Sequence, residues 1–166
     1  MKEREMPYTI LFVCSGNTCR SPMAEGILRD FLIDKYGDRV VVKSAGTLGI
    51  VNSPAASMAI QVCRELEVDI SGHLSQGLTP ELVAEADLIL CMAYHHKSDV
   101  LALFPEARSK TYLLKEFAQS ADTNLEVDDP IGGSYTVYKR SRDDIYEHIK
   151  AALPEIEARI EAAEKL

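Results

Sequence analysis

The sequence predicts an α/β fold in which a parallel sheet is covered by helices on both faces. Three observations carry this. Short apolar runs rich in β-branched residues and leucine, such as Tyr8 to Val13 and Asp87 to Met92, lack the polar alternation of a half-exposed strand; such runs mark strands buried on both faces. Each run is followed by a stretch whose apolar residues recur at helical spacing. Proline and glycine fall at the joints between them, where helix starts and stops are expected. Strands alternating with helices give a parallel sheet, and ligands of such sheets bind at the carboxyl ends of the strands.

The elements follow in order. Tyr8 to Val13 is the first strand. Ser21 and Pro22 supply a capping residue and a proline for the first helical turn; Met23, Ile27, Leu28, Phe31 and Leu32 then recur along one face, and Gly37 closes the helix. Val40 to Val42 forms a second strand ending in Ser44-Ala45-Gly46-Thr47. Ser53-Pro54 opens a second helix expected to run to about Leu66, and Thr79-Pro80 opens a shorter third. Asp87 to Met92 is the next buried strand, His95 to Phe104 a helix, and Thr111 to Leu114 a strand. From Ser134 onward the pattern is helical, with Pro154 expected to start, kink or break a helix. No repeat or low-complexity linker interrupts the chain, so residues 1–166 read as a single domain.

Composition narrows the function classes. The 166 residues, 46% hydrophobic and 27% charged, suffice to bury a core without covalent staples. A net charge of -8 argues against a nucleic-acid partner, which wants a basic face. No apolar run approaches the roughly 20 residues that span a bilayer, so no membrane association is expected. The charged start, Met1 to Met6, lacks the apolar stretch of a signal peptide, and a cytoplasmic location is the expectation. Four cysteines in such a chain do not form a disulfide framework. The absence of a Cys-x-x-Cys pair or clustered His/Cys set implies no metal, and no cofactor is implied.

The chemistry is expected in the loop Cys14-Ser15-Gly16-Asn17-Thr18-Cys19-Arg20-Ser21, between the first strand and the first helix. A bound phosphate dianion needs many donors in a tight shell, which successive loop amides and a helix N-terminus supply. Gly16 permits backbone geometry closed to other residues, and Asn17 tolerates positive φ. Arg20 offers a planar fork to two equatorial oxygens. Cys14 faces the same amides, an environment that favours a nucleophilic thiolate. Such a nucleophile requires an acid for the leaving group. Asp129, in Asp128-Asp129-Pro130, is the candidate, because Pro130 restricts its backbone to extended conformations. Asp128 is the alternative, without the adjacent ring.

These residues resemble the low-molecular-weight protein tyrosine phosphatase family. The segment Val13 to Leu28 carries its signature, and the likeness continues through Ser44 to Thr47, Asp69 to His73, Asp87 to Leu90 and Asp129-Pro130. The resemblance implies a three-layer sandwich with a four-stranded parallel sheet and a covalent phosphocysteine intermediate. Cys14 would be the nucleophile, Arg20 the transition-state clamp, and Asp129 the acid and then the base. Ser21 would donate to the Cys14 thiolate, and Asn17, Ser44 and His73 would form the network holding the loop. Cys19 corresponds to the family's second loop cysteine. Its redox reading is a protective disulfide with Cys14 after peroxide oxidation; its other reading is a small buried side chain beneath the loop. Cys63 and Cys91 read as core residues.

Within the family, the chain also resembles a branch of bacterial protein arginine phosphatases. Thr18 stands where tyrosine-directed members usually carry a bulkier aliphatic residue, and Ile131-Gly132-Gly133 replaces the aromatic residues they carry after Asp-Pro. Loss of those rings removes a stacking surface for phosphotyrosine. Ile131 also departs from the arginine-directed pattern, which often has an aromatic there; Tyr135 or residues around Leu48 to Asn52 could supply the missing wall. Phosphoarginine on a protein substrate is placed ahead of phosphotyrosine, with the enzyme acting as a monomer. An arsenate reductase, which needs resolving cysteines, and a non-enzymatic phosphate-binding or phosphocysteine module are the remaining alternatives.

Overall fold

The computed structural model describes residues 6–166. Its sheet has four parallel strands: β1 (Tyr8–Cys14), β2 (Val40–Gly46), β3 (Leu88–Cys91) and β4 (Thr111–Leu113), in the order β2-β1-β3-β4. The α-helices among the described residues are α1 (Arg20–Tyr36), α2 (Ser57–Arg64), α3 (Pro80–Glu85), α4 (Tyr94–Leu103), the single turn α5 (Leu114–Phe117) and α6 (Tyr135–Glu164).

Alternation along the strands divides the core in two, because successive side chains leave opposite faces of a sheet. Ile10 and Phe12 of β1 and Leu88 and Leu90 of β3 join one cluster with α1, α2, α5 and α6. Leu11, Val13, Ile89 and Cys91 join the other with Val83 of α3 and Val100 of α4. The result is the expected three-layer sandwich. All seven residues of β1 are buried, consistent with an apolar run that does not alternate.

The chain leaves β1 on one side to build β2, then crosses back to place β3 on the other. This reversal at the carboxyl end of β1 is a topological switch point, where two adjacent connections part and leave a crevice. Cys14 is the last residue of β1 and stands there.

Two expected elements differ. The helix anticipated from Ser53-Pro54 to about Leu66 spans only Ser57–Arg64. Pro54 instead forms an antiparallel bridge with Leu74, and Ser53 and Ser75 exchange hydrogen bonds. Tertiary pairing keeps the Ser-Pro segment extended. The helix ends early because Glu67 takes φ 61, closing a turn in which Leu66 N–H donates to the Cys63 carbonyl. Pro154 neither starts nor ends a helix; α6 continues through it. Pro154 and Lys150, whose carbonyl loses its partner, both lie on the exposed face, while Ala152, Ile156 and Ile160 are buried. Burying those apolar side chains, at about 1.5–3 kcal/mol for each large one, offsets the roughly 3 kcal/mol that an internal proline costs. The charged end of α6 is tied to the end of α1: Glu157, Glu161 and Glu164 pair with Lys35 or Arg39.

Gly26 lies where α1 packs on the 68–70 segment. A Cβ there would sit 2.5 Å from Ile70 Cγ2 and 3.0 Å from Val68 Cγ1. Gly26→Ala gains about 1 kcal/mol of helix propensity but incurs overpacking of roughly 1–3 kcal/mol. Urea unfolding is expected to show a net loss of about 1 kcal/mol; a gain would mean that the Val68–Ile70 segment yields freely.

Candidate active site

The loop from Cys14 to Ser21 is shaped by where its carbonyl groups go. The Cys14, Ser15, Thr18 and Cys19 carbonyls accept from the N–H groups of Thr47, Leu48, Ala56 and Met23, at 2.9, 3.0, 2.9 and 3.2 Å. The Asn17 carbonyl accepts from His73 Nε2 at 2.7 Å. A trans peptide directs the carbonyl of one residue opposite to the N–H of the next. Turning these oxygens outward therefore presents the amides of Ser15, Gly16, Thr18, Cys19 and Arg20 to the concave side. This is a nest for an anion, finished by the N-terminus of α1.

Asn17 holds the loop in this shape. It takes φ 58 and is fully buried. Its Nδ2 donates to Ser21 Oγ at 2.7 Å and to Ser44 Oγ at 2.9 Å, and its Oδ1 accepts from Gln76 N–H at 2.9 Å. Ser44 in turn donates to Glu25 Oε1 at 2.7 Å. Because Ser21 Oγ accepts from Asn17, its own proton is free for Cys14 Sγ, 2.8 Å away. The network Ser21-Asn17-Ser44-His73 thus comes together around the buried Cys14. Gly16 departs from expectation. It does not take the left-handed conformation, and a Cβ there would meet only Thr18 Oγ1 at 3.5 Å and Ile50 Cδ1 at 3.7 Å, both ordinary contacts. The glycine that the loop requires is Gly46, where a Cβ would lie 2.5 Å from the Ser15 carbonyl oxygen.

Arg20 is buried and held on two sides. Its Nη1 donates to the Val127 carbonyl at 3.0 Å; its Nη2 lies 3.5 Å from Ser15 Oγ and 3.4 Å from Asp129 Oδ2. The loop bearing Asp129 is tied to the sheet by Val127 N–H, which donates to the Met92 carbonyl at the end of β3. Asp129 Oδ1 accepts from Ile131 N–H at 3.1 Å, which turns the carboxylate back over the site. Asp128 instead faces a groove beside α6 with Asp122, Arg140 and His148. Ile131 is exposed, as are Leu48, Ile50 and Val51 of the loop after β2. Of these, Ile50 reaches the mouth beside Gly16. The Tyr135 hydroxyl is engaged by Glu65.

Cys19 Sγ meets Tyr138 Oη at 3.4 Å, and burial pushes its thiol up. Burial likewise pushes the Cys63 thiol up to about 12 and Cys91 further. All four cysteines are free. Away from the site, Asp122, Asp144 and His148 converge closely enough for a metal, but Lys115 Nζ already bonds the two carboxylates at 3.1 and 2.9 Å.

Sequence reasoning missed Glu25, Gln76, the Val127 carbonyl and, nearest the chemistry, His96. Its Nε2 lies 2.8 Å from Ser15 Oγ, and its Nδ1 accepts from Ala93 N–H at 3.1 Å. Burial, then the charge of Arg20, then His95 lower its pKa to about 3, so the ring is neutral. The one available signal was position: His96 follows β3, whose carboxyl end adjoins that of β1.

A cysteine at the end of a strand and an arginine at the start of the following helix, joined by an amide-lined loop on this parallel sandwich, are the arrangement of a cysteine-dependent phosphatase. The family model described as "Low molecular weight phosphotyrosine protein phosphatase" matches residues 9–163, and the chain belongs to that family. It is 38% identical over 141 residues to a protein-arginine-phosphatase of Bacillus subtilis (strain 168), covering 85% of this chain and 91% of the relative. It is also 38% identical over 145 residues to the low molecular weight protein-tyrosine-phosphatase Etp of Escherichia coli (strain K12), covering 87% and 86%. The solved structure of the YwlE arginine phosphatase from Geobacillus stearothermophilus superposes with a TM-score of 0.82 at 37% identity, covering 92% of this chain and 95% of that one.

Two outcomes are expected. Gly46→Ala drives a methyl group into the Ser15 carbonyl and shifts the loop, and its kcat/KM should fall about a hundredfold, measured on an aryl phosphate; unchanged activity would show that the loop adapts. The second concerns acid stability. Unfolded His96 titrates near 6.5 and folded His96 only near 3, so its contribution is full above pH 6.5 and drains as pH falls towards 3. The slope reaches about 1.4 kcal/mol per pH unit. Urea unfolding of wild type and His96→Gln between pH 4 and 7 should show the wild type losing stability more steeply; parallel curves would refute this.

Proposed function

We propose that the protein removes phosphate from protein phosphoarginine through a phosphocysteine intermediate, with protein phosphotyrosine as the second reading. The observation that carries the chemistry is the loop whose carbonyls are bonded outward, leaving its amides around a buried cysteine that receives the Ser21 hydroxyl. In the first step Cys14 Sγ attacks phosphorus in line and the bond to the leaving nitrogen or oxygen breaks. Asp129 gives that atom its proton, while Arg20 and the loop amides take the charge on the three equatorial oxygens. In the second step water attacks phosphorus, its proton passes to Asp129, and the P–S bond breaks to return the Cys14 thiolate and inorganic phosphate. Asp129 is suited to both steps because its Oδ2 lies beside Arg20 at the exposed mouth.

Phosphoarginine is favoured by the wall of the site. After Asp129-Pro130 the chain offers exposed Ile131 and two glycines, where a ring would stack on phosphotyrosine. Thr18 sits at the mouth with Ile50, its hydroxyl beside Gly16. Relatives of comparable identity carry the arginine and the tyrosine names, which supports keeping both substrates. An arsenate reductase would need accessible resolving cysteines, and Cys63 and Cys91 are fully buried with thiols held protonated. Cys19 keeps its redox reading as a partner for oxidised Cys14, beside its packing against Tyr138. The two clusters sharing one sheet support a single domain over the described residues 6–166, and one domain for the whole of 1–166 and a cytoplasmic site of action belong to the same proposal. Among the described residues no helix is long and apolar enough to cross a membrane.

The test pairs a phosphoarginine protein with a phosphotyrosine peptide. A higher kcat/KM on phosphoarginine is expected, and the reverse order would overturn the choice of substrate. Asp129→Ala should accumulate phosphocysteine and lower kcat on an aryl phosphate by about 10²–10⁴-fold. Equal turnover by that variant would remove Asp129 from the mechanism.

A further inference from the structure

His96 is fully buried at the first turn of α4, yet it reaches the first residue of the loop after Cys14. Its proton can be placed. The Ala93 N–H points at Nδ1, which must therefore be the acceptor, and the proton resides on Nε2 and is donated to Ser15 Oγ. A serine hydroxyl has two acceptor positions and one proton. His96 fills one acceptor position at 2.8 Å, and Arg20 Nη2 faces the oxygen at 3.5 Å. The same Nη2 lies 3.4 Å from Asp129 Oδ2, while Nη1 is anchored on the Val127 carbonyl. The leading edge of the guanidinium is thus set between one serine and one carboxylate. His95, exposed at 3.5 Å from Ser15 Oγ and tilted at 48° against the His96 ring with centroids 4.0 Å apart, gives the serine proton an outward alternative to a phosphoryl oxygen.

We propose that His96 is a positioning residue for the phosphatase reaction: its Nε2–H fixes the Ser15 hydroxyl, and through it the plane in which Arg20 meets the transferring phosphoryl group. The proposal rests on the phosphatase reading above. The ring stays neutral because burial and Arg20 oppose its protonation; a cation there would repel the arginine it aligns. Arg20 gains most as the phosphoryl group flattens towards its transition state, so a misaligned guanidinium costs kcat more than KM.

His96 also caps α4 through Nδ1, and two substitutions separate the roles. His96→Asn keeps an acceptor for Ala93 N–H but falls short of Ser15. His96→Gln places an amide donor near the Nε2 position and gives up the cap. With an aryl phosphate as substrate, Asn is expected to lower kcat at least tenfold with KM within about twofold, and Gln to retain most of the wild-type kcat. Inhibition by vanadate, which copies the five-coordinate transition state, should weaken in Asn far more than inhibition by inorganic phosphate. Ser15→Ala should reproduce the Asn phenotype, and the Ser15→Ala/His96→Asn pair should be no worse than Ser15→Ala alone. Full kcat in the Asn variant, a greater loss in Gln than in Asn, or additive losses in the pair would each overturn the proposal. An inactive wild type would overturn the phosphatase reading and this proposal with it, whereas an active wild type with indifferent His96 variants overturns this proposal alone.

Discussion

Everything at the site depends on the buried side chain of Asn17. A non-glycine residue at φ 58 costs on the order of 1–2 kcal/mol, and a buried amide group without a partner costs about 1–3 kcal/mol more. Asn17 avoids the second cost entirely: its two side-chain donors and its acceptor are engaged by Ser21, Ser44 and Gln76. His73 holds its carbonyl from below. The left-handed turn reverses the peptide planes on either side, and the outward carbonyls and inward amides follow from that reversal. An aliphatic side chain at this position would leave the Gln76 N–H and the two hydroxyls to find other partners.

The positive potential of the site is therefore local. A chain of net charge -8 repels anions at long range, but beyond roughly 8–10 Å physiological salt screens that field. Inside the loop, fixed amide dipoles and Arg20 act at contact distance in a poorly solvated space, where each is worth more. Arg20 keeps its place without a tight buried carboxylate. Its rear nitrogen is bound by a carbonyl, and its forward nitrogen is shared loosely by Ser15 and Asp129. A clamp bound strongly to Asp129 would have less to offer an incoming phosphate.

The places where sequence patterns misled have a common cause. Ser53-Pro54 has the local chemistry of a helix start, yet pairing with Leu74 and Ser75 holds it extended. Pro154 was expected to start, kink or break a helix; it does not start or break one, because the buried stripe of α6 carries the helix past it. Gly16 and Asn17 were both expected to supply unusual backbone; Asn17 does so, Gly16 does not, and Gly46, thirty residues away, gives the loop the space it needs. In each case a contact distant in sequence outweighs a local preference of about 1–3 kcal/mol.

The sequence by itself determined the sandwich, the position of Cys14 at the end of a buried strand, and the presence of Arg20 and Asp129, because hydrophobic period, capping residues and loop spacing are local properties. Residues 44 and 73 were legible only through a resemblance. The tertiary structure alone decided that Asp129 rather than Asp128 faces Arg20, that Ile50 reaches the mouth, and that His96 joins the loop through Ser15. Those pairings link strands and loops whose residues are tens of positions apart. No periodicity records such a meeting, since it is the sheet order that brings the carboxyl ends of β1 and β3 side by side.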